Sequence, residues 1–272
     1  MPRIQANGIE LFYERAGEGI PLVLHGHHHL PWMVGQLPYF SQFYDVITFD
    51  RRGTGRSASP EGAWTIADFA ADIRGLLDAL GIERAIVGGA SLGGVISCQF
   101  GMDFPERALG LILGHTVPYF REDSQRWVDE QIEIIRAGGR PIVAQPKSFA
   151  WEDEGPPTTR PGFDEGDLGR ILATLRGGLG NSTDDSINAL RAIRAWDTRP
   201  RAAEMAALSM PTLVMVGANE SQKTVTLSYE WHLGIPGSEF IMLKNTHHAA
   251  ARENPVGWNA AVHGFLTRHG LV

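Results

Sequence analysis

The stretch that most constrains this chain is Val87-Gly88-Gly89-Ala90-Ser91-Leu92-Gly93-Gly94. In front of it, Ala85-Ile86-Val87 is a short apolar run suited to a buried parallel strand. Behind it, Val95-Ile96-Ser97-Cys98-Gln99-Phe100 is apolar enough for a helix packed on a sheet. Between them Gly89-x-Ser91-x-Gly93 has the form of a strand-to-helix elbow. So tight a turn strains the backbone of the serine and demands small residues two places to either side, which the glycines supply. The turn lifts the Ser91 hydroxyl above the sheet, at the start of the next helix. There the free N–H groups and the helix dipole favour developing negative charge. A serine that merely caps a helix can sit in the same five residues, so the rest of the chain decides.

Upstream, the apolar run Leu22-Val23-Leu24 ends in His25-Gly26-His27, and Val46-Ile47-Thr48-Phe49-Asp50 is followed by Arg51-Arg52-Gly53-Thr54-Gly55-Arg56-Ser57. Downstream, Pro211-Thr212-Leu213-Val214-Met215-Val216-Gly217 reads as another buried strand with Glu220 just beyond it, and Phe240-Ile241-Met242-Leu243 leads to Asn245-Thr246-His247-His248. This set, in this order, resembles the α/β-hydrolase superfamily, whose active residues run Ser, acid, His along the chain. The resemblance covers nearly the whole chain apart from about residues 117–206. It implies an α/β fold: a mostly parallel central sheet flanked by helices, with an inserted helical cap.

The intervening sequence fits that plan. Residues 3–16 alternate polar and apolar and contain the hairpin signal Asn7-Gly8, which suits an antiparallel sheet edge. A short helix is expected from Val34 to Phe43, and Asp50 to Ser57 reads as a surface loop in which Asp50 pairs with an arginine. Thr65 can cap a helix with Ile66, Phe69, Ala70, Ile73, Leu77 and Leu80 on one face, ended by Gly81. Ala108–Leu113 is a further strand, and His115 at its C-terminal end would line the crevice where open α/β sheets hold ligands. From Val117 the pattern changes. Trp127, Val128, Ile132 and Ile135 fit one helix face, Pro146 to Asp167 is rich in Pro, Gly and acidic residues, and helical segments follow at about 168–178 and 184–196. Residues 117–206 are therefore expected to form a helical cap, and 1–116 with 207–272 the core domain. Phe149, Trp151 and Trp196 can face either the substrate or the cap's own small core, the commoner place for aromatics, and Glu152 to Glu154 are expected in a solvated loop. A last helix opens at Asn254-Pro255, with Val256, Ala261, Val262 and Phe265 as its expected buried face.

An uncharged serine is a poor nucleophile unless a base lies within hydrogen-bond reach and an acid orients that base. The resemblance assigns these roles to Ser91, His248 and Glu220. His247 is the immediate rival for the base, but the superfamily often reads Asn-x-Gly-His here, which puts His248 at the catalytic place. Glu220 stands three residues after Gly217, where an aspartate is more usual. An oxyanion hole is expected from the backbone N–H groups of His27 and Leu92. The run His27-His28-His29 invites a metal reading, yet sequence neighbours rarely converge on one ion and no carboxylate or cysteine accompanies them at ligand spacing. His28 and His115 are expected to line the pocket, with no metal and no cofactor.

The 272 residues carry a net charge of −7, which argues against nucleic acid or an anionic membrane as a main partner. No apolar run is long enough to span a membrane, the first residues have no signal-peptide character, and the single cysteine, Cys98, permits no internal disulfide. A cytoplasmic protein acting on a small-molecule ester or lactone is the expectation. Relatives with such a triad that cleave carbon–carbon bonds, oxygenate heteroaromatics without a cofactor, or only bind ligands leave alternatives open. The sequence does not set the oligomeric state.

Overall fold

Eight strands form one sheet in the computed structural model, which describes residues 2–26, 30–138 and 180–272, with the backbone alone at 30 and 31. They are β1 (Arg3–Ala6), β2 (Ile9–Ala16), β3 (Ile20–His25), β4 (Tyr44–Phe49), β5 (Ala85–Ala90), β6 (Ala108–Gly114), β7 (Thr212–Gly217) and β8 (Glu239–Leu243). Their order across the sheet is β1-β2-β4-β3-β5-β6-β7-β8. The hairpin of β1 and β2 turns at Asn7 and Gly8, both at positive φ, and supplies the antiparallel edge. From β4 to β8 every pairing is parallel. The strands end together at their C-termini, and the loops that follow β5, β6, β7 and β8 share one side of the molecule.

Side chains of period two feed a core on each face of the sheet. Val23, Val87, Leu111, Leu113 and Val214 join one buried cluster, while Leu22, Leu24, Ile86, Ile112, Leu213 and Met215 join the other. Both faces are thus closed to water, which is why these strands read as continuous apolar runs. Full burial of a side chain of this size contributes about 1.5–3 kcal/mol.

The helix Ile66–Ala79 starts and stops where its sequence dictates. Thr65 accepts from the Asp68 N–H while the Asp68 carboxylate accepts from Thr65 N–H, a complete capping box. At the other end Gly81 takes φ 69°, and the Ile82 N–H closes back onto Leu77 O at 2.9 Å. The expected helix over 34–43 is instead two short ones, Leu30–Gly35 and Leu37–Phe40. Pro38 has no N–H to donate back into the first of them, so the second must start anew.

Two further expectations are corrected. Asp50 to Ser57 is not a surface loop: all eight residues are buried. Its arginines are held inside the protein by carboxylates, backbone oxygens and aromatic rings. The Arg52 guanidinium meets Asp72 at 2.7 and 2.6 Å, and the Arg56 guanidinium lies 3.3 Å from the centre of the Phe12 ring. Breaking a buried pair such as Arg52–Asp72 by removing one partner costs about 3–5 kcal/mol, because the other charge is stranded. Asp50 does meet an arginine, accepting from the Arg56 N–H at 3.0 Å. In the last helix, Pro255–Arg268, Val256 is 79% exposed because it points outward from the first turn. The buried stripe is Trp258, Val262, Phe265 and Leu266, one face at helical spacing.

Between β6 and β7 no strand joins the sheet among the described residues. The helices Glu122–Arg136 and Thr183–Arg194 pack together there through Val128, Ile132, Ile135, Ile187, Ala189 and Leu190. Trp196 is buried, its indole N–H donating to Val117 O at 2.9 Å. The segment expected to be helical at about 168–178, the stretch 146–167, Phe149 and Trp151 lie outside the described residues.

Candidate active site

Ser91 sits between β5 and the helix Leu92–Asp103 with φ 58° and ψ −120°, a conformation that non-glycine residues rarely adopt. Its tightness explains the glycines beside it. A Cβ on Gly93 would stand 2.2 Å from His25 O, and one on Gly89 2.4 Å from the same atom. The turn is tied to the neighbouring strand, the Ser91 N–H donating to Gly114 O at 2.8 Å. Its hydroxyl stands at the N-terminus of a helix whose first turn carries no acidic residue.

Ser91 Oγ lies 2.9 Å from His248 Nε2, and His248 Nδ1 lies 2.9 Å from Glu220 Oε1. The loops that hold the histidine and the carboxylate are fastened to each other. The Asn219 N–H donates to Thr246 O at 2.9 Å, and a Cβ on Gly217 would collide with Thr246 O and His247 O, both at 2.5 Å. Glu253 braces the histidine loop from below, accepting from the His247 N–H at 2.6 Å and the Ala249 N–H at 3.3 Å. His247 itself faces Glu253 and not Ser91. Of the two adjacent histidines, the structure brings His248 alone to the serine. With Glu220 accepting from Nδ1–H, the imidazole keeps its Nε2 lone pair free toward the hydroxyl. Such an arrangement can take a proton from a serine as it attacks and return it to a leaving group. The Glu220 side chain is 9% exposed and that of His248 59% exposed, so the carboxylate is sheltered while the imidazole reaches solvent.

Above Ser91 opens a cavity of about 590 Å³. Leu92, Val95, Val117, Phe120, Val128, Leu190, Ile193 and Leu227 give it an apolar wall, and Trp127, Asp123, Ser124, Lys223 and Thr224 add a more polar rim. Trp127 is 36% exposed at the cavity and stays outside the buried cluster that Val128, Ile132 and Ile135 join, so it does not share their packing as expected. Lys223 Nζ lies 2.9 Å from Asp123 Oδ2 and 2.9 Å from Ser124 Oγ, linking the helix Gln222–Gly234 to the helix Glu122–Arg136 across the rim. Phe120, Leu190, Ile193, Leu227 and Lys223 carried no signal in the sequence, because the contacts that bring them together span about a hundred residues of chain. Trp196, by contrast, packs away from the cavity.

His115 lines the cavity, fully buried. His25 is buried behind the elbow, with Nε2 3.0 Å from Ser97 Oγ, whose hydroxyl in turn donates to Gly93 O at 2.9 Å. His27, His28 and His29 lie outside the described residues. Of the two expected oxyanion donors only Leu92 is therefore described, at the first position of the helix. Among the described residues no group of three His, Cys, Asp or Glu side chains is placed to hold a metal ion. Burial also disarms Cys98, whose thiol is pushed up to about 12. No helix among the described residues is long and apolar enough to cross a membrane.

Burial drives the His25 imidazole from its ordinary 6.5 down to about 3. His115 is driven from 6.5 to about 3 by burial first and by the neighbouring His248 second. The folded protein therefore holds both neutral where the unfolded chain would protonate them. As pH falls from about 6.5 towards 3, the unfolded state takes up protons that the folded state refuses, so stability declines through that window. Each histidine contributes a slope of at most about 1.4 kcal/mol per pH unit. His115→Asn is expected to reduce the slope between about pH 4 and 6 by close to that amount. Urea unfolding at stepped pH measures it, and an unchanged slope would show that His115 titrates normally.

A family model described as the alpha/beta hydrolase fold matches residues 19–255. The chain is 30% identical over 234 residues to a 3-oxoadipate enol-lactonase of Acinetobacter baylyi, an alignment covering 86% of this chain and 82% of that one. It is 26% identical over 277 residues to a carbamate-hydrolase candidate of Azorhizobium caulinodans, covering 97% and 98% of the two chains. Among solved structures, the enol-lactonase from Burkholderia xenovorans superimposes with a TM-score of 0.80 at 25% identity, covering 98% of this chain and 100% of that one. Sheet order, the elbow at Ser91 and these likenesses agree: the chain belongs to the α/β-hydrolase-fold family and is a hydrolase.

Proposed function

We propose that the protein is a serine hydrolase that cleaves a small to medium carboxylic ester or lactone through an acyl-enzyme. The observation that carries this reading is the continuous chain of contacts from Ser91 Oγ through the His248 imidazole to Glu220, each link 2.9 Å. In the first half-reaction Ser91 Oγ attacks the carbonyl carbon as its proton passes to His248 Nε2. The tetrahedral intermediate places negative charge on the former carbonyl oxygen, where the Leu92 N–H is one donor and His27 N–H the second. Collapse breaks the ester C–O bond, and the alkoxide leaves with the proton from His248. Water then attacks the acyl-enzyme, His248 accepts its proton, and the same proton returns to Ser91 as the acid departs. Glu220 keeps the imidazole in the right tautomer and stabilises its cationic form in both halves. No cofactor enters these steps.

The elements between β6 and β7 act in this reading as a helical cap over residues 117–206. What supports it is that the helices Glu122–Arg136 and Thr183–Arg194 both contribute to the wall of the cavity above Ser91. The volume of about 590 Å³ suits a small molecule, and its apolar lining favours an uncharged acyl or alkyl group. Ester and lactone substrates draw further support from the two enol-lactonases to which the chain is similar. A panel of p-nitrophenyl esters and simple lactones tests the assignment. Turnover of the short and medium members is expected, and failure to hydrolyse any member would overturn it.

A further inference from the structure

One polar group in the cavity has no hydrogen-bond partner among the described residues. Against an apolar wall that includes Val95, Val117 and Leu227, the His115 ring is wholly buried, and neither ring nitrogen has a hydrogen-bond partner among the described residues. An unpaired buried polar group carries a desolvation penalty that an apolar residue at this place would avoid. The backbone adds a second cost. His115 takes φ 53°, in the left-handed region, held there by its N–H donating to Met215 O at 2.7 Å. Two unfavourable features at one position of a binding cavity point to a constraint set by a ligand and not by the fold.

The register says which part of a ligand that is. Ala90 pairs with Gly114 on adjacent parallel strands, so Ser91 and His115 are the next residues on neighbouring strands, about 5 Å apart between backbones. A carbonyl carbon seated at Ser91 Oγ has the atoms one to three bonds away beside this ring. A neutral imidazole offers one N–H donor and one lone pair, the complement of a hydroxyl or keto oxygen. Among the described residues that line the cavity the one lysine or arginine is Lys223, and it is already matched by Asp123.

We propose that His115 hydrogen-bonds to a second, uncharged oxygen of the substrate, so that the enzyme selects esters or lactones bearing a hydroxyl or keto oxygen near the scissile carbonyl. This rests on Ser91 being the nucleophile. The test compares kcat/KM for ethyl butyrate, ethyl 3-hydroxybutyrate and ethyl 3-oxobutyrate with wild type, His115→Leu and His115→Asn, followed by pH-stat. Wild type is expected to favour an oxygenated ester over ethyl butyrate by about tenfold or more. His115→Leu is expected to bring that ratio to within about threefold, the oxygenated esters losing more than ethyl butyrate does. His115→Asn keeps a donor and an acceptor and tolerates the left-handed backbone, so it restores part of the preference. Ratios within one preparation do not depend on the folded fraction, so a partly unfolded variant still gives an answer. No preference in wild type, a preference unchanged in His115→Leu, or an equal loss on all three esters would overturn the assignment while leaving the Ser91 reading intact. No turnover of any of the three by wild type would overturn both.

Discussion

Ser91→Ala is expected to lower kcat by about 10⁴–10⁶-fold, with the protein still folded. The hydroxyl is the only atom removed, and its one described contact is with His248 Nε2. Loss of the nucleophile in a triad costs nearly as much as loss of the whole triad, since the base and acid have nothing left to activate. In the proposed mechanism, what survives would come from the Leu92 N–H and the binding cavity. Stability is expected to move by less than about 1 kcal/mol, because alanine keeps the Cβ and the backbone of the elbow is unchanged. Kinetics on an ester that wild type turns over, paired with a thermal melt, checks both halves. Retention of a tenth of the activity would place the nucleophile elsewhere.

Glu220→Gln is expected to lower kcat by about 10²–10⁴-fold with KM changed far less. Glu220 Oε1 meets His248 Nδ1 at 2.9 Å, and its carboxylate is sheltered while the imidazole is not. An amide can offer the imidazole its NH2 group, which stabilises the tautomer with its proton on Nε2, and it supplies no charge to the imidazolium. Glu220→Asp retains the charge but is shorter by one methylene, so part of the rate should remain. Asn219 is neutral and cannot replace it. Steady-state kinetics of the two variants decides the matter, and a Glu220→Gln rate within about threefold of wild type would move the acid to another residue.

What the sequence discloses and what it hides follow from the range of the interactions. The sheet and the elbow were legible because apolar runs, turn glycines and Ser91 are local signals. Glu220 and His248 were named through the resemblance, which sets the acid and the base in the loops after the strands that end at Gly217 and Leu243. His248 over His247 could be chosen only by motif register; in the structure the difference is that His247 turns to Glu253. Burial of charge was not legible. Arg51, Arg52 and Arg56 look like surface residues until Asp72 and the Phe12 and Phe69 rings are brought against them. Val256 erred in the opposite sense, since an apolar residue in the first turn of a helix need not lie on its buried face. The cavity wall could not be read at all. Phe120, Leu190 and Leu227 come from three separate helices or loops, and no spacing rule relates them.

The most direct measurement is covalent capture of the nucleophile. Wild-type protein treated with a fluorophosphonate is expected to gain one adduct per chain by intact mass, located by peptide mapping on Ser91. Ser91→Ala is expected to gain none, and Glu220→Gln to label slowly, since its serine remains but its base is mispositioned. A buried Cys98 thiol held near 12 should take no adduct under the same conditions. Clean single labelling at Ser91 that tracks loss of ester hydrolysis is what this account predicts. An unlabelled protein, or an adduct on any other residue with activity lost in step, would contradict it.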